Sequence, residues 1–157
     1  MKLRIILLKD NLEYFDEFVN MIYDEWKDIY HMYDLHTKIQ VSEFYNKFKQ
    51  RIYIALDDKT LVGCYSFSHN TISDVFVARE YRKYGIGHNI MNDAIRRLFY
   101  YYTVRLYCDK KTLKFYKDCG FEVADASDPN MILMIRRNHM LVVMIVAILI
   151  IVSLVCL

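Results

Sequence analysis

Several signatures of familiar protein classes are missing from this chain of 157 residues. With one proline and four glycines, it shows no low-complexity stretch and no internal repeat. Its four cysteines form no C-x-x-C pair, which argues against a zinc site and against a disulfide framework. Its 21 basic residues are interleaved with 19 acidic ones, so no nucleic-acid-binding patch is indicated. These absences predict one domain with reduced thiols, no metal ion and no nucleic-acid partner.

The C-terminus, in contrast, carries a long run of apolar residues. Met140 to Leu157 reads MLVVMIVAILIIVSLVCL and contains no charge. At 1.5 Å per residue a helix of this length spans about 27 Å, close to the hydrocarbon thickness of a thin bilayer. Ser153 is its only clearly polar side chain, whereas a buried core helix usually keeps a polar stripe. The sequence therefore predicts a domain over residues 1–137 and a single-pass membrane anchor over 138–157.

The residues around this run predict its orientation. Arg136 and Arg137, with Asn138 and His139, stand just before it, and basic residues favour the cytosolic side of a membrane. The N-terminal apolar run is too short for a signal peptide and lacks a small-residue cleavage site. We therefore expect a cytosolic domain with a C-terminal anchor, in the endoplasmic reticulum or another thin membrane.

Hydrophobic periodicity predicts the element order β-α-α-β-β-β-α-β-α-β-β ahead of the anchor. The predicted strands are Leu3–Leu8, Ile52–Asp57, Leu61–Ser68, Thr71–Val77, Thr103–Cys108, Phe121–Ala124 and Met131–Ile135. Asp10 with Glu13 and, further on, Ser42 are the expected helix caps. Ile29–Thr37 is expected to be a loop or short turn, and the second helix to end near Gln50. The fold class is α/β (α+β), with a mixed, mostly antiparallel sheet flanked by helices, one βαβ crossover and one C-terminal transmembrane helix.

A glycine-containing loop lies between the fourth predicted strand and the third helix. It reads Arg82-Lys83-Tyr84-Gly85-Ile86-Gly87. Glycine lets the backbone curl so that successive amide groups point inward, and the helix N-terminus adds partial positive charge. The loop is therefore a candidate cradle for an anion such as a pyrophosphate.

A second motif follows after one helix and one strand. Tyr116-Lys117-Asp118-Cys119-Gly120-Phe121 fits a Y-x-x-x-G-F pattern at the end of a short predicted helix, Lys111–Asp118. Together with the R-x-x-G-x-G loop, it resembles the GNAT acetyltransferase superfamily. The resemblance covers the order of elements from Lys2 to about Arg137, with detail at the level of motifs from Asp74 to Phe121.

This resemblance implies that the protein binds acetyl-CoA as a co-substrate and transfers the acetyl group to an amine. Backbone amides of the loop would hold the pyrophosphate, and splayed strands would hold the pantetheine. The implied cofactor-binding residues are Val75, Val77, Arg82, Lys83, Tyr84, Gly85, Ile86, Gly87, His88 and Asp109.

Two residues are candidates for proton transfer. Tyr116 stands where the family places the tyrosine that protonates the departing thiolate, although with fourteen tyrosines in the chain it could instead be a packing residue. Strand alternation places Asp74 on the face of Ile72 and Phe76. Burial there would raise its pKa and make it a better base, although the family often uses water, and a solvated or hydrogen-bonded aspartate is the plain alternative.

Other residues concern the acceptor and the departures from the family pattern. Glu25, Trp26, Tyr30 and Tyr33 lie in the region that lines the acceptor site in the family, with core packing the alternative for Trp26. Asp109 stands where the family often has an asparagine that contacts the cofactor. An acidic side chain there would not favour the phosphates of CoA.

Two functions therefore remain open from the sequence. The first is a membrane-anchored N-acetyltransferase that acts on an amine by direct attack. The second is a catalytically inactive GNAT-fold binding or structural membrane protein, such as a viral component. The sequence predicts neither the acceptor nor the oligomeric state.

Overall fold

The computed structural model describes the backbone of residues 3–30, 35–128 and 131–155, and the side chains of 3–26, 35–128 and 131–154. The seven strands are β1 (Leu3–Leu7), β2 (Ile52–Asp57), β3 (Thr60–Ser68), β4 (Thr71–Val77), β5 (Thr103–Cys108), β6 (Glu122–Asp125) and β7 (Ile132–Arg137). The α-helices are α1 (Phe15–Tyr30), α2 (Lys38–Phe48), α3 (Ile86–Arg97), α4 (Leu113–Asp118) and α5 (His139–Val155). The predicted order of strands and helices is confirmed.

Two of the predicted helix caps are wrong. Helix α1 begins only at Phe15 and is preceded by two short 3₁₀ turns that have no side-chain cap, so Asp10 and Glu13 form no capping box. Helix α2 begins four residues before Ser42, where Thr37 and Gln40 form a reciprocal capping box. The T-x-x-Q pattern satisfies two otherwise unpaired amides, and this leaves Ser42 inside the helix.

The strands form one sheet in the order β1-β2-β3-β4-β5-β7-β6. The β1–β2, β2–β3, β5–β7 and β6–β7 pairs are antiparallel, and β4 pairs with β5 in parallel through Thr71 and Arg105. The helix between two parallel strands confirms the predicted βαβ crossover. A mostly antiparallel sheet flanked by helices, which the sequence predicted, is therefore the architecture of the chain.

Contacts divide the chain into two compact units that interleave in sequence. The first contains Met1–Ser68 and Asp74–Met91, and the second contains His69–Ser73 and Asn92–Leu157. The predicted domain boundary at residue 137 stays a prediction.

The first unit has a core of aliphatic and aromatic side chains between the sheet and helices α1 and α2. Phe18, Ile22 and Val41 contribute to this core from the two helices, and Ile54 and Cys64 contribute from the strands. Gly63 in β3 has no room for a larger side chain, because an added Cβ would lie 2.5 Å from the carbonyl oxygen of Phe76. This close approach allows the start of α3 to pack on β3, where Ile90 is the next neighbour of that Cβ, at 2.8 Å.

The second unit has its own buried residues on β5, α4 and β7, among them Leu106, Tyr116 and Met134. Helix α4 ends at Asp118 and is followed by Cys119 and Gly120. The φ of Gly120, 84°, is the left-handed conformation that glycine adopts without strain. The amide of Phe121 then bonds back to the carbonyl oxygen of Tyr116 at 3.1 Å. The Y-x-x-x-G-F motif is therefore a helix stop that fixes Tyr116 relative to β6.

Helix α5 follows β7 after a single residue, Asn138. Its large apolar side chains from Val142 to Leu154 are exposed. Among the residues that the structure describes, no helix is both long enough and apolar enough to cross a membrane. The predicted anchor over 138–157, whose last two residues lie outside the described ones, is thus not confirmed and stays a prediction.

Candidate active site

The loop between β4 and α3 has the geometry of an anion cradle. Lys83 and Gly85 both have positive φ angles, of 69° and 79°, and alternating backbone conformations of this kind turn successive amides toward one side. The first helical hydrogen bond of the turn runs from the amide of Asn89 to the carbonyl oxygen of Gly85. The amides of Ile86 and Gly87 therefore have no acceptor within the helix and are available to a ligand.

The surroundings of this loop fit a diphosphate ester. An added Cβ on Gly85 would meet no atom within 4 Å, so the space above the backbone is open. Arg82, Lys83 and Tyr84 are exposed, and two of them are cationic. Open space, inward amides and positive charge are what the pyrophosphate of acetyl-CoA requires.

The side chain of Arg82, the first residue of the motif, is fixed by contacts within the first unit. Its Nε donates to the carbonyl oxygen of Val77 at 2.9 Å, and its Nη2 donates to Glu25 at 2.8 Å. The guanidinium also lies 5.6 Å from the ring centroid of Phe76. Arg82 therefore joins the end of β4, the start of the loop and helix α1, and its carbonyl partner is one of the predicted pantetheine contacts.

The carboxylate of Glu25 is paired with two arginines, so it is not available to bind an acceptor substrate. Arg79 donates to its second oxygen at 3.0 Å, and hydrogen bonds from Arg82 are the main reason why the pKa of Glu25 is lowered. Trp26 packs edge-on against Phe76, with ring centroids 5.7 Å apart. Trp26 therefore packs against the core, which was the alternative to a role in the acceptor site. Tyr33 and the side chain of Tyr30 lie outside the described residues.

Asp74 lies in a polar pocket within the first unit. Ser66 Oγ donates to one carboxylate oxygen at 2.5 Å, and the hydroxyl of Tyr45 donates to the other at 3.3 Å. Burial raises the pKa of Asp74, and the two hydrogen bonds partly oppose that rise. A carboxyl group with a raised pKa and fixed orientation suits a general base.

The backbone of β4 is irregular at Asp74. Asp74 has a φ of 52°, which an aspartate adopts at a cost of about 1–2 kcal/mol, so β4 is irregular at this residue. The Cys64 thiol donates to the backbone oxygen of Asp74 at 3.4 Å, and the carboxylate is partly buried between Ser66 and Tyr45. Ile72 and Phe76, two positions on either side of Asp74, are both buried, which agrees with the predicted alternation.

Tyr116 is buried in the second unit. Its ring packs against Phe115 and Phe121, with centroids 5.0 and 6.5 Å away. Burial raises the pKa of the phenol far above its usual range, and the neighbouring Cys108 adds to this. The phenol therefore stays protonated at neutral pH, as a proton donor must, although its burial also satisfies the packing alternative.

Asp109 faces its own loop. Its Oδ1 accepts hydrogen bonds from the backbone amide of Thr112 at 2.9 Å and from the Thr112 hydroxyl at 2.7 Å. These bonds lower the pKa of Asp109 and hold the turn before α4. The carboxylate therefore acts as a local turn stabiliser, and this accounts for an acid where the family often has asparagine.

Sequence reasoning missed Ser66 and Tyr45 as partners of Asp74. Ser66 is one of several polar residues in β3, and Tyr45 is one of fourteen tyrosines. The residues that bracket Asp74 are separated from it by 8 and 29 positions, and no local pattern links them. Their role depends on strand pairing and on the packing of α2, which only the fold reveals.

Comparisons with known proteins agree with this geometry. Residues 48–123 match the family model described as an acetyltransferase (GNAT) domain. No curated protein matches the sequence of the chain. The matched residues include the glycine loop, Asp74 and Tyr116.

Solved structures share its fold. The PaiA N-acetyltransferase from Thermoplasma acidophilum, in complex with coenzyme A, is 19% identical with a TM-score of 0.65, and the match covers 87% of this chain and 99% of PaiA. PH1933 from Pyrococcus horikoshii OT3 is 17% identical with a TM-score of 0.69, over 87% of this chain and 98% of that protein. A chimera of the spermidine N-acetyltransferase SpeG from Vibrio cholerae and hSSAT is 16% identical with a TM-score of 0.66, over 90% of this chain and 99% of the chimera.

The family match over residues 48–123 supports an acetyl-CoA-dependent N-acetyltransferase with acetyl-CoA as co-substrate, and the solved structures show that the fold is shared.

Proposed function

We propose that the protein transfers the acetyl group of acetyl-CoA to an amine by direct attack. The observation that carries this proposal is the open, amide-lined turn at Lys83–Gly87 that begins α3, because it is the part of the chain with the chemistry to hold a pyrophosphate. Backbone groups of Val75 and Val77 would pair with the pantetheine arm, apart from the Val77 carbonyl oxygen, which accepts a hydrogen bond from Arg82.

Each proposed proton-transfer residue has the protonation behaviour that its role needs. Asp74, with its raised pKa, accepts the proton that an ammonium acceptor must lose before it becomes nucleophilic. Tyr116 is protonated at neutral pH and therefore has a proton to donate to the departing thiolate. The amine nitrogen gains the acetyl group as the carbon–sulfur bond breaks, so charge and protons balance.

Membrane attachment through Met140 to Leu157 is part of the same proposal. Helix α5 is apolar on every side, and its large side chains from Val142 onward are exposed. A helix that is apolar all round requires an apolar environment all round. Attachment to a thin membrane such as the endoplasmic reticulum, with the catalytic domain cytosolic, would direct the activity toward amines at the membrane surface.

The acetyl-transfer proposal is tested by following free thiol from acetyl-CoA with a panel of polyamines, amino acids and lysine peptides. The full chain should release thiol with at least one amine, and Gly85→Glu should abolish this release at all acetyl-CoA concentrations. Gly85→Ala is the matched control, because it shares the backbone strain of a non-glycine residue at φ 79° but adds no carboxylate. Equal thiol release by the wild type and Gly85→Glu would refute the proposed cradle.

A further inference from the structure

A patch of exposed aromatic side chains lies between α3 and β5 in the second unit. Phe99, Tyr100 and Tyr102 are 56%, 53% and 46% exposed, and they lie in the connection between the helix and the strand. Phe99 and Tyr100 contact each other edge-on, with ring centroids 5.8 Å apart. Large rings left in water in a cluster are unfavourable unless the surface has a partner.

This patch is joined to the start of α5. The amide of Asn138 donates to the carbonyl oxygen of Tyr102 at 2.7 Å, and the Asn138 side chain donates to the carbonyl oxygen of Phe99. The rings of Tyr102 and His139 lie 6.5 Å apart. Because Asn138 alone separates β7 from α5, the aromatic rings are fixed at the base of the apolar helix.

The nature of α5 distinguishes between possible partners. A second copy of this chain would cover one side of the helix, whereas exposed apolar side chains occur on all sides of it. Lipid covers a helix on every side. Tyrosine rings, with an apolar body and a polar hydroxyl, are enriched where the hydrocarbon of a bilayer meets water.

Charge near the patch is complementary to an anionic membrane surface. Arg96 and Arg97, in the last turn of α3, share the single carboxylate of Asp93 at 2.7 Å each. The guanidinium of Arg96 is largely exposed close to Phe99 in sequence. Anionic headgroups of a cytosolic leaflet attract such residues.

We propose that Phe99, Tyr100, Tyr102 and His139 form an aromatic collar that lies in the headgroup region of a phospholipid bilayer. The collar fixes which side of the second unit faces the membrane. This inference rests on the membrane attachment proposed above and adds a defined contact surface to it. The catalytic domain is then held against the bilayer and does not hang from a flexible tether.

The test uses the full chain in vesicles of phosphatidylcholine and phosphatidylserine, with lipids that carry a quencher at a shallow or a deep position. Trp26→Phe removes the only tryptophan, and single reporters are then introduced as Tyr100→Trp, Tyr107→Trp or Ile145→Trp. Tyr107 is the matched control, since it is a tyrosine of similar exposure (56%) in the same unit. It lies at the far end of β5, about 16 Å along the strand from Tyr102.

We expect strong quenching by the deep label at Ile145→Trp and by the shallow label at Tyr100→Trp, with little quenching at Tyr107→Trp. An unquenched reporter at Ile145→Trp would overturn membrane attachment and the collar with it. A quenched reporter at Ile145→Trp together with an unquenched one at Tyr100→Trp would overturn the collar alone. Shielding of Tyr100→Trp from both lipid quencher and aqueous iodide would assign the patch to a second copy, and would also overturn it.

Discussion

The Asp74→Asn substitution should make stability less dependent on pH. Burial raises the pKa of Asp74 in the folded protein, so above the ordinary aspartate pKa the unfolded chain releases this proton while the folded chain still holds it. Folding stability then falls as pH rises toward the raised pKa, by at most about 1.4 kcal/mol per pH unit for one proton. Above the raised pKa the loss is constant. Asparagine carries no such proton. Its Oδ1 can accept a hydrogen bond from one of the two hydroxyls, Ser66 or Tyr45, and its amide nitrogen can donate to the oxygen of the other.

The measurement is urea unfolding of both proteins between pH 4 and 8, followed by the fluorescence of Trp26, which packs against Phe76 in the same unit. Other titrating groups are shared by the two proteins and cancel in the difference. The stability of Asp74→Asn relative to wild type should be near zero at the acidic end, should increase with pH and should then level off. A difference that is flat with pH, or that decreases, would refute the assignment of a buried, high-pKa carboxyl to this position.

Three further predictions concern Tyr116, Ser66 and Gly63. Tyr116→Phe should keep acetyl-CoA binding but lower kcat about 10²- to 10⁴-fold, the usual contribution of a general acid; unchanged kcat would make Tyr116 a packing residue. Ser66→Ala removes a hydrogen bond that lowers the pKa of Asp74. A hydrogen bond to a charged group contributes roughly 1.5 kcal/mol, so its loss should move the acidic limb of the pH–rate profile to higher pH by about one unit. Ser68→Ala, in the same strand, should leave that limb in place, and a shift in both or in neither would contradict the role. Gly63→Ala should cost about 1–3 kcal/mol of stability in urea, because its Cβ would lie 2.5 Å from the carbonyl oxygen of Phe76; a neutral effect would show that the strands separate easily.

Much of the fold could be predicted because local patterns determine it. β2, β4 and β5 have the predicted bounds, since their alternating and β-branched residues lie between clear turn signals. The glycine loop and the α4 stop at Gly120 were also predictable, because left-handed backbone requires residues such as glycine.

The site could be predicted only in part because its details depend on distant contacts. The sequence indicated Asp74 as a base candidate, but neither its φ of 52° nor the hydrogen bond from Tyr45, 29 positions away, follows from a local pattern. The sequence predicted Glu25 near the acceptor site. In the structure its carboxylate is paired with Arg79 and Arg82, which follow β4 and lie 54 and 57 positions away in sequence. Pairings of this separation leave no local pattern in a single sequence.

The central claim is that the turn at Lys83–Gly87 binds acetyl-CoA, and calorimetric titration of acetyl-CoA into the full chain in mild detergent tests it most directly. The account predicts saturable binding by wild type and Tyr116→Phe, weaker binding by Gly85→Ala, and none by Gly85→Glu. A folded wild-type protein that releases or absorbs no heat, and gains no thermal stability from acetyl-CoA, would contradict the account and leave the GNAT fold without its co-substrate.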